Sequence, residues 1–161
     1  MTGVRHFSAS AIVFDDDGRV LLVHDGERGR WSLPGGHIRA DEDPAQAVLR
    51  LVEAQTGMAV QIVDGETFTL PVGRVLAAPF AVIETDADDS EVGAHRHIDM
   101  AYVCRPGDAA EVAASRSHDY RWAPITSLDA ITTSIDLSAL VAVARRAALD
   151  PQPVAGAVAA V

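Results

Sequence analysis

Residues 33–58 read LPGGHIRADEDPAQAVLRLVEAQTGM, and this stretch predicts a strand end, a loop and a helix in succession. Gly35 and Gly36 favour a tight exit from a short strand, because glycine adopts backbone angles that a side chain forbids. Asp43, followed by a proline, is typical of a helix N-cap. The apolar residues that follow are spaced three and four apart, as on the buried side of an amphipathic helix: Ala45, Val48, Leu49 and Val52. Gly57 predicts the end of the helix.

The same stretch resembles the Nudix box, whose pattern is glycine, five residues, glutamate, seven residues, and then Arg-Glu-apolar-x-Glu-Glu-x-Gly-apolar. The chain matches the pattern at spaced positions, which are Gly36, Glu42, Arg50, Val52, Gly57 and Met58. It departs from the pattern at the three glutamate positions, which hold Leu51, Ala54 and Gln55. The chain is therefore identified as a member of the Nudix hydrolase superfamily with a degenerate box.

The three altered positions share one face of the predicted helix, since each residue turns the helix by about 100°. The resemblance implies that this face carries carboxylates for Mg²⁺ or Mn²⁺, which are hard cations that need charged oxygen ligands. Here the face offers only the amide oxygen of Gln55. Glu53 projects about 150° away from the middle of that face, so it is either a solvated charge or, with Glu42, a substitute ligand. The sequence leaves open whether any metal cofactor is bound.

The length of 161 residues suits one domain. We expect a single Nudix domain over residues 1–150 and a loosely ordered tail over residues 151–161. The order of strands and helices predicts an α+β fold, an α/β/α sandwich with a mixed sheet between helices, which the Nudix resemblance also implies. The expected elements include a hairpin of residues 5–14 and 20–23, and strands at 58–63, 66–72, 75–85 and 96–105. An acidic loop at 86–93 and a helix at 136–149 complete the prediction.

The net charge of −10 disfavours binding to nucleic acid duplexes, whose affinity comes from Lys and Arg. No apolar run is long enough to cross a membrane and no charged apolar leader opens the chain, so we expect a cytoplasmic protein. The single Cys104 is consistent with a reducing compartment. The abundance of Ala, Val, Asp and Arg resembles proteins of high-GC bacteria. A homodimer is the default expectation.

A second cluster of polar side chains lies on the strand predicted at 96–105. Residues at every second position share a face of a strand, so His95, His97 and Asp99 lie together. Two imidazoles and a carboxylate could bind a transition metal, but a polar strand end or hydrogen bonds to a ligand would explain them equally. A similar His-x-His-x-Asp strand in some bacterial Nudix relatives that keep the box suggests that these residues belong to the pocket.

Three functions remain open from the sequence. The first is a divergent Nudix hydrolase that acts on a nucleoside-diphosphate-linked or other diphosphate-containing small molecule. The second is a catalytically silent Nudix module that binds a nucleotide or a partner. The third is a Nudix-fold enzyme with metal-independent acid–base chemistry at His95, His97 and Asp99.

The first function requires metal ligands or catalytic groups recruited from outside the box face. The candidates are Glu42 first, and then Asp41, Asp43, Glu91, His95, His97 and Asp99. The expected contacts to a phosphorylated substrate are Gly35, Gly36, Arg50, Gln55 and Trp31, where Trp31 is alternatively a packing residue.

Overall fold

The computed structural model describes residues 5–63, 68–89, 93–107, 117–134 and 136–149. Its strands are β1 (Arg5–Val13), β2 (Arg19–Asp25), β3 (Arg30–Ser32), β4 (Gly35–His37), β5 (Val60–Ile62), β6 (Ala81–Asp89), β7 (Gly93–Pro106) and β8 (Tyr120–Pro124). Its helices are α1 (Pro44–Thr56), a 3₁₀ helix (Ile125–Ala130) and α2 (Leu137–Leu149).

The strands form two sheets. The larger sheet has the order β4-β1-β7-β5. Strand β6 pairs with the same edge of β7 as β5 does, but β5 pairs with residues 104–106 and β6 with residues 93–101. The pairing of β1 with β7 is parallel and the other pairings are antiparallel, so this sheet is mixed. The smaller sheet is antiparallel, with the order β3-β2-β8.

The larger sheet lies between the two α-helices. On one face, Ala11 and Val13 of β1 pack with Val48 and Val52 of α1 in one buried cluster. On the other face, Ile12 packs in a second cluster with residues of α2, among them Leu137, Val141 and Ala144. Successive residues of a strand point to opposite faces, so the apolar run of β1 supplies both clusters. The predicted α+β sandwich with a mixed sheet is confirmed.

Helix α1 has the predicted ends but a rotated buried face. Asp43 accepts a hydrogen bond from the Gln46 backbone N–H at 2.9 Å, and the Gln46 side chain accepts one from the Asp43 N–H. Gly57 closes the helix with φ of 76°. Leu49, predicted to be buried, is 37% exposed. The covered face turns toward Ala47 and away from Leu49, because α1 packs against both β1 and β4.

The two glycines before α1 are needed for a different reason from the predicted one. Gly35 and Gly36 lie in β4 beside β1 and neither has a positive φ, so the prediction of special backbone angles was wrong. A Cβ atom on Gly35 would lie 2.7 Å from the backbone oxygen of Ala9, and one on Gly36 would lie 3.2 Å from Cδ2 of Leu51. Close approach of neighbouring chain segments therefore explains these glycines.

The predicted strand arrangement is wrong in part, because pairing between distant segments overrides local pattern. Residues 81–85 of the strand predicted at 75–85 do form part of β6. The strands β1 and β2 belong to different sheets and meet at one isolated bridge, Phe14 to Val20, so they do not form the predicted hairpin. Residues 68–72 and 75–80 form no strand, and the apolar side chain of Val72 is 88% exposed. Residues 86–89, predicted as loop, extend β6 because they pair with β7.

Parts of the sequence prediction lie outside the described residues, namely 64–67, 90–92 and the proposed tail at 151–161. The single-domain boundary at residue 150 stays a prediction. Within the ranges that the structure describes, neither helix is long and apolar enough to cross a membrane.

Candidate functional site

The face of α1 that carries the altered box positions is neutral and mostly committed to packing. The side-chain amide of Gln55 donates to the Gly35 carbonyl and accepts from the Gly35 N–H, both at 3.0 Å. Leu51 lies against Gly36 and is partly buried, while Ala54 is exposed. Gln55 therefore binds β4 with the same atoms that could otherwise face a ligand.

These residues do not fit Mg²⁺ or Mn²⁺. Such ions take several oxygen ligands, of which carboxylates are the most important. The face supplies no carboxylate, and its one amide oxygen already accepts a backbone hydrogen bond. Glu53, the alternative ligand on α1, is exposed. The metal that the Nudix resemblance implies therefore has no ligand set on this helix.

Glu42 and Arg50 connect the loop to α1. Arg50 donates from Nε to Glu42 Oε2 at 2.8 Å and from Nη2 to Oε1. The Arg39 backbone N–H also donates to Oε1, at 2.9 Å. The hydrogen bond from Arg50 is the main reason that the pKa of Glu42 falls to about 2, against the opposing effect of burial. Both carboxylate oxygens of Glu42 therefore hold the loop in place.

A cleft runs past the start of β4 as two adjoining cavities, of about 640 Å³ and about 370 Å³. The two cavities share the lining residues Asp25, Arg28, Ser32, Leu33 and Gly35. Gln55 lines the larger cavity, and Gly36, His97 and Asp99 line the smaller one. The cleft therefore joins the box loop to the polar strand face predicted from the sequence.

Arg28 and Asp25 form an ion pair at the junction of the two cavities. Arg28 donates from Nη1 to Asp25 Oδ2 at 3.0 Å. Burial acts to raise the pKa of Asp25, but the hydrogen bonds from Arg28 outweigh it and the pKa lies below its ordinary value. The junction thus holds an arginine fork and an ionised carboxylate side by side.

Asp99 is fixed at the inner wall of the smaller cavity. It accepts hydrogen bonds from the hydroxyl groups of Ser8, at 2.8 Å, and Ser10, at 2.5 Å. The register of β1 beside β7 places both serines on the same face as Asp99. Two hydroxyl donors fix the orientation of the carboxylate at the cavity wall, where its remaining lone pairs can accept further hydrogen bonds.

The structure places His95 and His97 on the face of β7 that also carries Asp99, and both contact other histidines there. His95 Nε2 lies 2.7 Å from His97 Nε2, and His97 Nε2 lies 3.0 Å from His37 Nε2. His95 is buried, with Nδ1 2.6 Å from the Gly93 carbonyl. With His6, these residues offer ligand atoms that all lie within 4.8 Å of one another.

Sequence reasoning missed His6 and His37 as members of this cluster. Both lie in strands that neighbour each other in the sheet, but far apart in the chain. One available signal was the spacing of His6, Ser8 and Ser10 at every second position of the first predicted strand. That spacing predicts a polar face, but it does not predict which strand lies beside it.

The remaining predicted site residues lie elsewhere. The guanidinium carbon of Arg121 lies 4.3 Å from the centroid of the Trp31 ring, which packs against the core beside α2. Asp43 caps α1 and pairs with Arg74 at 2.6 Å, and Asp41 is exposed. Glu91 lies outside the described residues.

A mixed sheet between two helices, with the loop–helix–loop of the box beside a cleft, defines a Nudix-type domain. The sequence profile of the NUDIX domain matches residues 4–142, and the chain belongs to this family. It is 38% identical to a MutT-like protein of Streptomyces ambofaciens over 55 residues, which are 34% of this chain and 36% of that relative. The match thus spans about a third of that relative's length.

Two solved structures show the same fold. A hydrolase of the NUDIX family from Clostridium perfringens superposes with a TM-score of 0.70 at 19% identity, covering 91% of this chain and 99% of that one. The NUDIX domain of Shewanella oneidensis NrtR, solved with ADP ribose, gives a TM-score of 0.59 at 22% identity, covering 89% of this chain and 88% of that one.

Proposed function

We propose that the protein is a divergent Nudix hydrolase that cleaves a diphosphate linkage in a small molecule, such as a nucleoside diphosphate joined to a second group. The observation that carries this proposal is the position of Arg28, which lines both cavities beside the box loop. The planar fork of an arginine suits phosphate oxygens and can bind them in pairs. The diphosphate would lie at the junction, with one end of the substrate in each cavity.

ADP ribose is a ligand of this type, because it consists of two ribose-containing groups joined by a diphosphate. It is bound in the Shewanella oneidensis NUDIX domain. In the present chain, Gly35, Gly36 and Gln55 would form the floor beneath such a ligand. Arg50 and Trp31 would not contact the ligand directly. Arg50 holds Glu42, and the ring of Trp31 packs under Arg121.

Asp99 is the proposed general base. A water molecule would give a proton to Asp99 while its oxygen attacks one phosphorus, and the bridging P–O bond would break to leave two phosphate products. His97 lines the same cavity and is the proposed neighbour of the reacting water. Glu42 is assigned a positioning role, because it lines neither cavity and holds the loop to α1 through the Arg39 N–H and Arg50.

A hydrolysis screen tests this proposal. ADP ribose and other nucleoside diphosphate derivatives would be incubated with the full chain, with Mg²⁺, Mn²⁺ or Zn²⁺ and with a chelator. We expect turnover of at least one compound, and a loss of about a hundredfold or more in Asp99→Asn, as general bases typically contribute. Asp16→Asn, on an exposed turn that lines neither cavity, is the matched control and should keep full activity.

A catalytically silent module is the second candidate, and the neutral box face favours it. Such a module would bind ADP ribose without cleaving it. The binding would raise the melting temperature, and the rise would grow roughly with the logarithm of ligand concentration above the dissociation constant. A blank hydrolysis screen together with this stabilisation would favour the silent module over the hydrolase. A blank screen with no stabilisation by any diphosphate compound would contradict both candidates.

A further inference from the structure

We propose that His6, His37, His95 and His97 form a binding site for a transition-metal ion, with Zn²⁺ as the best match. The site is separate from the box positions on α1 and uses a different kind of ligand. Its members come from three neighbouring strands, β4, β1 and β7. The proposal concerns metal binding by the protein alone, so it does not depend on the proposed hydrolase activity.

The sheet places the four side chains on one face. His6 of β1 is the register partner of His97 in the parallel strand β7. His37 of β4 is the partner of Ser8, which lies two residues after His6 on the same face of β1. His95 lies two residues before His97. Alternation along the three strands therefore points all four imidazoles to the same side of the sheet.

Two contacts meet at one nitrogen atom of His97, which is one more than a single hydrogen bond can account for. His97 Nε2 is in contact with both His95 Nε2, at 2.7 Å, and His37 Nε2, at 3.0 Å. A ring nitrogen carries either one proton or one lone pair. His97 Nε2 can therefore complete one of these two contacts as an N–H···N hydrogen bond, but not both at once. A cation in the middle would accept a lone pair from each ring.

The backbone also prepares His95 for this role. Its Nδ1 lies 2.6 Å from the Gly93 carbonyl oxygen, which can only accept a hydrogen bond. The proton of a neutral His95 therefore sits on Nδ1, and the lone pair of Nε2 points into the cluster. A backbone carbonyl that fixes the other ring nitrogen in this way is the usual support of a metal-binding histidine.

The spacing suits a small tetrahedral ion. Zn²⁺ binds imidazole nitrogen at about 2.0–2.1 Å, which places the ligands of a tetrahedral site about 3.4 Å apart. The observed contacts of 2.7 Å and 3.0 Å, and the outer limit of 4.8 Å, lie on either side of that value. Imidazole suits zinc, copper, iron and nickel, whereas Mg²⁺ prefers oxygen. The cluster should therefore select transition ions over Mg²⁺.

Zinc titration of the full chain tests the proposal. The purification tag must be cleaved off, since histidine tags bind the same ions, and the protein must be stripped with a chelator and dialysed. Calorimetry would then be run with Zn²⁺ and with Mg²⁺, and the visible spectrum recorded after addition of Co²⁺. We expect saturable binding of one Zn²⁺ per chain, no comparable binding of Mg²⁺, and the intense absorption of tetrahedral Co²⁺.

Two substitutions and one control complete the test. The substitutions are His97→Gln and His37→Gln, and the second changes an exposed residue. Loss of a supporting outer-shell partner weakens metal binding by roughly 10- to 100-fold. Each substitution removes a direct ligand, so each should weaken Zn²⁺ binding by more than that. His118→Gln, outside the cluster, should leave Zn²⁺ affinity unchanged. Wild-type protein that shows no saturable Zn²⁺ binding would overturn the proposal. Equal Zn²⁺ affinity in wild type and in both cluster variants would also overturn it.

Discussion

Two faces of the molecule differ in their metal ligands. The box face is the side of α1 that carries Leu51, Ala54 and Gln55, and the histidine face is the side of the sheet that carries His6, His37, His95 and His97. The box face keeps the geometry of a metal-binding helix, with its cap, its glutamate–arginine pair and its terminal glycine, but it presents Leu51, Ala54 and Gln55. The histidine face belongs to no local motif, yet it gathers four potential ligands from three strands. A scaffold can therefore persist without its ligands, and ligands can gather without a motif.

The contrast also separates two kinds of ion. Carboxylates suit hard cations such as Mg²⁺, and imidazoles suit transition ions such as Zn²⁺. We therefore expect the helix to bind no hard cation and the histidine cluster on the sheet to bind a transition ion. Substitutions on one face should therefore leave the metal affinity of the other face unchanged.

The largest effect should come from restoring carboxylates to the helix. The double variant Leu51→Glu/Ala54→Glu leaves the Gln55 contacts to Gly35 intact, whereas adding Gln55→Glu removes the amide donor. We expect Mn²⁺ binding to appear and any metal-dependent diphosphate hydrolysis to rise by about a hundredfold or more, the scale of one restored charge stabiliser. Calorimetry and turnover assays would measure both quantities.

An unchanged Mn²⁺ titration in the double and the triple variant would contradict this expectation. It would mean that the loop around the helix, as well as the helix face, can no longer hold a hard cation. Zn²⁺ binding at the histidine cluster should be the same in these variants as in the wild type.

The next largest effect concerns the glutamate–arginine pair. The pKa of Glu42 is about 2 in the folded chain and 4.5 in its ordinary state, so the folded state binds fewer protons between those values. The pair should contribute at most about 3 kcal/mol to the free energy of unfolding at neutral pH. This contribution is complete above pH 4.5 and is lost as pH falls toward 2. The free energy of unfolding of Glu42→Gln, measured with denaturant across pH 2–7, should be lower than that of the wild type at neutral pH and should depend less on pH.

The matched control for Glu42→Gln is Glu84→Gln. Glu84 also pairs with arginines, Arg5 and Arg96, but these ion pairs are exposed to solvent. Exposed ion pairs contribute little to stability, so Glu84→Gln should have the same free energy of unfolding as the wild type across this pH range. A Glu42→Gln curve that matches the wild type at neutral pH would show that the loop is held by other contacts.

The smallest effect compares the two glycines of β4. A Cβ atom on Gly35 would meet backbone and side-chain atoms of Ala9 and Ser10 at 2.7–3.0 Å, but one on Gly36 would meet the end of the Leu51 side chain at 3.2 Å. Gly35→Ala should cost about 1–3 kcal/mol, as overpacking does, and Gly36→Ala should cost less. Thermal unfolding of both variants checks the order. Equal losses would contradict the distinction.

Local features of this protein could be predicted from the sequence, and features that depend on pairing could not. The start and end of α1 follow from Asp43 and Gly57, which act within one turn of the helix. The fold class follows from the box and the order of elements. In contrast, β6 extends through the acidic residues 86–89 because β7 lies beside it.

The same distinction applies to the candidate site. His95, His97 and Asp99 share a face by alternation within one strand, and that prediction needs no partner strand. His6 and His37 join the cluster only through the registers of β1 with β7 and β4. The candidate ligand set also differs from the predicted trio of His95, His97 and Asp99. Ser8 and Ser10 hold Asp99, and His37 contacts His97 instead.

Anomalous diffraction from crystals of the wild-type chain, soaked separately in Zn²⁺ and Mn²⁺, tests the separation of the two faces most directly. We predict a zinc peak among His6, His37, His95 and His97, and no manganese peak beside Leu51, Ala54 and Gln55. A manganese ion seated against Gln55, with no zinc at the histidines, would contradict the central claim.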